Sequence, residues 1–147
     1  MKFIFGLTLL IFLSSCDSEK NKQLQMILGM EGGIEKNLKD EYVRPLLANY
    51  IKFCTAYPED AHVSVFLYRA AVLYYRAGNF GETIKLLEKI LANYASAPVL
   101  EDTYLTLAMI YNEKLMNEGR AKELYAVSYT HSPSPRDRQK SRMPSSA

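Results

Sequence analysis

Two stretches decide how this chain folds: Leu67-Tyr68-Arg69-Ala70-Ala71-Val72-Leu73-Tyr74 and Tyr104-Leu105-Thr106-Leu107-Ala108-Met109-Ile110-Tyr111. In each, a bulky residue is followed three positions on by Ala or Leu, then by Ala, then three further on by Tyr. The two are offset by 37 positions, and the same offset relates Tyr50 to Leu87, Phe53 to Ile90 and Tyr57 to Tyr94. A period of this size marks an array of repeated units, in which each unit buries its apolar face only against its neighbours. The bulky positions lie three and four apart, so they share one face of a helix. Ala71 and Ala108 stand where a larger side chain would hold two helices apart.

The spacing resembles the tetratricopeptide repeat (TPR), a pair of antiparallel helices. Leu67, Ala70, Ala71 and Tyr74 match its first helix, and Thr83 with Leu87 match its second. Tyr104, Leu107, Ala108 and Tyr111 match the next first helix, followed by Ala121 and Tyr125; Leu46, Tyr50 and Pro58 match the tail of an earlier unit. The departures are the absence of Trp, Thr83 in place of Ala, Ala95 in place of Pro, and a period a little longer than the usual length of about 34. The expected fold is all-α: an antiparallel helix-pair solenoid of about two and a half units over residues 41–125, the last one truncated.

Outward from this region the chain changes character. Residues 1–15 read as a leader, with Lys2 ahead of an apolar run at 3–13 that is too short to span a bilayer. It ends Leu13-Ser14-Ser15-Cys16, which resembles a bacterial lipobox and implies acylation of Cys16. Several acyl chains would anchor the protein stably. Asp17 resembles an inner-membrane retention signal, so the resemblance leaves open the outer or the inner membrane. Residues 16–40 read as a polar tether and a short helix at 24–30, stopped by Gly32-Gly33. A helix follows Asp40, with Pro45 expected in its first turn and Pro58 at its end. Helices are expected at 59–77, with Glu59 and Asp60 in the first turn, at 80–94, and at 99–115. Gly78-Asn79 and residues 117–119 read as turns.

The last helix is expected to fail after Tyr125. Residues 126–147 carry Pro133, Pro135 and Pro144 and little to bury, so they read as disordered. This run resembles translated sequencing-adapter read-through, which implies a non-native tail and a longer natural protein. Its four basic residues against one acid, with Lys2, outweigh the mildly acidic residues 16–128 and leave the net charge at +2. No basic face argues for nucleic acid.

No catalytic set emerges. Cys54 lies on an apolar helix face and reads as a core residue. His62 reads as a surface histidine beside Glu59 and Asp60, and one His with scattered acids lacks metal-ligand spacing. No phosphate loop and no cofactor motif is present. A thiol enzyme using Cys54 and His62 is the contrasting reading. The family resemblance implies a non-catalytic scaffold whose first helices line a concave groove. By spacing, that groove takes Val65, Tyr68, Val72, Tyr75 and Arg76 from one helix and Asp102, Leu105, Met109, Asn112 and Glu113 from the next. Tyr and Arg suit such a face because they offer contact area with a polar handle. Repeat type and anchor together resemble the lipoproteins of outer-membrane barrel assembly, of the BamD kind. This implies envelope proteins or peptides as partners and the periplasmic face of the outer membrane as location. The alternative is a periplasmic TPR adaptor of the Tol-Pal type.

Overall fold

The computed structural model describes residues 4–34 and 39–131, with side chains from residue 18 to 33 and through most of 39–128. The described residues form six α-helices and no strand: α1 Ile4–Ile34, α2 Asp40–Ala56, α3 Val63–Arg76, α4 Phe80–Asn93, α5 Leu100–Glu113 and α6 Glu118–His131. Each helix packs on the next in the chain. The helices thus pack in chain order, α1 on α2, α2 on α3, and so on to α6. This all-helical arrangement is compatible with a helix-pair repeat.

The positions singled out by the period lie in the core. Ala70, Ala71 and Ala108 are fully buried, as are Leu67, Leu87, Ile90 and Leu107. The hydroxyl of Thr83 bonds to the carbonyl of Asn79 at 2.8 Å, so a polar residue at the expected Ala position is buried without an orphan group. Tyr50, Phe53 and Phe66 meet at centroid separations of 5.2 Å, with Phe53 and Phe66 edge to face. Ring pairs of this kind add about 0.5–1.5 kcal/mol beyond burial.

The helix boundaries follow local chemistry. Gly78 takes φ +74°, the left-handed turn that ends α3, and the Asn79 side chain accepts from the Glu82 N–H to start α4. Asn117 caps α6 in the same way through the Arg120 N–H.

Four expectations are corrected. First, residues 17–23 and 24–30 are not a tether and a separate short helix but parts of one helix, α1, which ends at Ile34, beside the expected stop at Gly32-Gly33. Packing holds the segment in place, because Gln23 and Ile27 of α1 are buried, and Glu31 and Lys20 reach partners on other segments. Second, Pro45 lies beyond the first turn of α2, which begins at Asp40. Third, Glu59 and Asp60 precede α3 rather than opening it. The Asp60 carboxylate accepts from both the backbone N–H and the ring of His62, closing a turn before Val63. Fourth, the last helix does not fail after Tyr125: α6 continues to His131 and buries Ser128, whose hydroxyl returns to the Tyr125 carbonyl at 2.8 Å. Upstream of α2, the described residues add α1, which packs along it. The first three residues of the expected leader, residues 35–38, and the tail from 132 to 147 with its prolines and basic residues lie outside the described residues.

A candidate partner-binding cleft

The polar residues of α1 explain how it joins the rest. Glu31 sits one turn past Ile27, which is buried in the core cluster. Its carboxylate accepts from the Tyr50 hydroxyl of α2 at 2.6 Å and forms an ion pair with the Arg69 guanidinium of α3. Burial, and then the bond to Glu31, raise the Tyr50 phenol well above its ordinary range, so it stays a donor. Partial burial works against the Arg69 charge, but the Glu31 contacts outweigh it and the guanidinium is held more firmly protonated. One carboxylate thus ties three helices together.

Beside this tie lies an open cleft of about 360 Å³, lined by Glu31, Leu46, Tyr50, Tyr68, Arg69, Val72, Leu73 and Arg76. Its far wall belongs to α3, where residues 68, 69, 72, 73 and 76 fall on one side because they are spaced by three and four. Tyr68 and Val72 give that wall an aromatic and an aliphatic surface. Arg76 stands exposed at the rim and makes no ion pair among the described residues. The Tyr68 hydroxyl lies 3.3 Å from Thr106 Oγ1, connecting the α3 wall to α5.

Of the ten residues expected to form a groove, the cleft brings together Tyr68, Val72 and Arg76. Val65, Tyr75 and Leu105 are half-buried and do not line it; Tyr75 packs edge-on against Phe80 at 5.6 Å. Asp102, Met109, Asn112 and Glu113 are exposed on α5, outside this cleft. Sequence reasoning missed Glu31 and Arg69. Their signal was weak but present: Glu31 lies one repeat offset before Tyr68, so extending the period upstream places 31 on a first helix beside 68 and 69.

Cys54 and His62 have separate engagements. The Cys54 thiol is buried and faces the Val63 carbonyl at 3.7 Å, and burial pushes it up to about 11. A nucleophilic cysteine needs the opposite shift. His62 Nδ1 lies 2.8 Å from an Asp60 oxygen, and its ring stacks on Phe66. Among the described residues no group of three or more His, Cys, Asp or Glu is placed to hold a metal ion. No described helix is long and apolar enough to cross a membrane. Cys16 lies within α1, and its side chain is outside the described residues.

Among the described residues the chain is an all-helical protein of sequentially packed helices with an open cleft on one side. Comparison with protein families, with curated proteins and with solved structures returns no match.

Proposed function

We propose that this chain is a TPR-like binding module that holds an extended segment of another envelope protein, and that it is kept at the membrane by acylation of Cys16. The observation that carries the binding role is the α3 wall: Tyr68 and Val72 offer apolar contact area beside an exposed Arg76 that makes no ion pair among the described residues. Aromatic and Arg side chains of this kind dominate binding energy at interfaces. The lipobox-like run ending at Cys16 supports the anchor. A thiol enzyme is the reading the geometry supports least, since Cys54 is buried and held protonated.

The test is co-purification from detergent-solubilised envelope membranes, comparing the wild type with Tyr68→Ala and Val72→Glu. Both positions are half-buried at the rim of the core, so the variants are first matched for unfolding midpoint. Loss of the same partner from folded variants supports the cleft as its seat; unchanged recovery refutes it. Barrel-assembly proteins among the lost partners would place the chain with the assembly lipoproteins, and Tol-Pal proteins would place it with that adaptor.

A further inference from the structure

The interval between the anchor and the folded body is very short. Cys16 and Lys20 are one helical turn apart in α1, and Lys20 Nζ already pairs with Asp60 at 3.3 Å. Asp60 belongs to the turn between α2 and α3, which is braced in two further ways: Asp60 bonds His62, and the Tyr94 hydroxyl donates to the Pro58 carbonyl at 3.0 Å. The second bond joins this turn to the α4–α5 turn. Lys20 and these two turns therefore lie together at one end of the packed helices α2–α5. Their exposed residues are small, polar or proline: Pro58, Glu59 and Ala61 in one turn, Ala95, Ser96 and Pro98 in the other. The large exposed apolar side chains among the described residues, including Leu115 and Met116 in the α5–α6 turn, all lie elsewhere.

We propose that this end of the helix array is a membrane-facing surface that rests on the lipid headgroups, and that α1 is a strut rather than a tether. This rests on the acylation of Cys16 given above. With the acyl chains in the bilayer and Lys20 locked to Asp60 one turn later, the body has no slack in which to swing. Small polar turns suit contact with headgroups, not insertion into hydrocarbon. Glu31 stands roughly four turns along α1 from Cys16, about 22 Å at 1.5 Å per residue. The cleft that Glu31 lines is thereby held above the headgroup layer, open to a partner. The exposed α5–α6 turn points away from the bilayer.

The test uses the full chain, expressed in a bacterium, extracted from its membranes and checked by intact mass for acylation of Cys16. In a Cys54→Ala background, a fluorophore is placed at Ala95→Cys or at Ala77→Cys, exposed positions at opposite ends of the array. The protein is reconstituted into phosphatidylcholine–phosphatidylglycerol vesicles carrying a headgroup-linked quencher. The expected result is strong loss of fluorescence from position 95 and little from 77. A flexible Gly-Ser insertion after Asp17 should erase that contrast. Equal quenching in the acylated protein, or a contrast that survives the insertion, overturns the strut and leaves the anchor standing. A Cys16 that carries no acyl group overturns the anchor and the surface together.

Discussion

Replacing Glu31 with Ala should cost far more than loss of a surface charge. Two interactions end at that carboxylate, and the structure separates their weights. The ion pair with Arg69 joins side chains that are 46 % and 21 % exposed, so it contributes about 0–1 kcal/mol. The Tyr50 hydroxyl belongs to a residue only 2 % exposed and loses its carboxylate acceptor. A hydrogen bond to a charged group contributes about 1.5–3 kcal/mol, and a buried orphan donor keeps its desolvation cost. Glu31→Ala should therefore destabilise by about 2–3 kcal/mol in urea-induced unfolding, chiefly through Tyr50. Tyr50→Phe removes the donor and leaves Glu31 paired with Arg69 near solvent, so it should cost less, about 1 kcal/mol. In the double variant the orphan no longer exists. The double variant should then fall short of the sum of the singles by about 1–2 kcal/mol, well beyond the ~0.5 kcal/mol scatter of independent sites. Additive losses would refute the argument, because they would mean that α1 is not docked through this carboxylate.

Other consequences follow from single residues. The raised Cys54 thiol makes stability pH-dependent at the alkaline end. Its contribution is full below the ordinary thiol value of 9.0 and is lost as pH rises toward about 11, because the unfolded chain releases the proton first. The slope is about 1.4 kcal/mol per pH unit for this group, and in a Cys16→Ser background Cys54→Ala should flatten it. A Cβ at Gly32 meets no atom within 4 Å, so Gly32→Ala should raise stability by about 0.5–1 kcal/mol in thermal unfolding; no gain would argue against a continuous α1. Met116 adopts φ +51° while 80 % exposed, so Met116→Gly should stabilise by about 1 kcal/mol and cost no packing. Amide exchange should be faster in α6 than in α3 and α4, since α6 buries few apolar side chains, chiefly Ala121 and Leu124, and packs mainly on α5; slower exchange in α6 would reverse that ranking.

The repeat offset was legible because small and bulky residues recur at helical spacing wherever two helices must close on each other. Ala71 and Ala108 are fully buried, as their spacing suggests for positions facing a neighbouring helix. Local chemistry likewise announced the turn at Gly78-Asn79 and the end of α2 before Pro58. Tyr68, Val72 and Arg76 could be picked from spacing alone, because one helix face carries them.

What sequence alone left undecided depends on contacts between distant segments. Residues 17–23 read as a polar tether, yet α1 is continuous through them, because burial of Ile27 and the ties from Glu31 and Lys20 hold the segment on the folded body. Glu59-Asp60 read as the start of a helix, yet the Asp60 side chain captures the His62 backbone and Lys20 and turns the chain first. Glu31 and Arg69 are 38 positions apart; the repeat offset places 31 level with 68, but only the docking of α1 brings the two charges together. Composition and period determined that this chain is helical and which faces are apolar. Tertiary packing decided that the segment after Cys16 belongs to the folded body, and so where the cleft's third wall comes from, because helix docking is won by burial and charge pairing that local sequence does not encode.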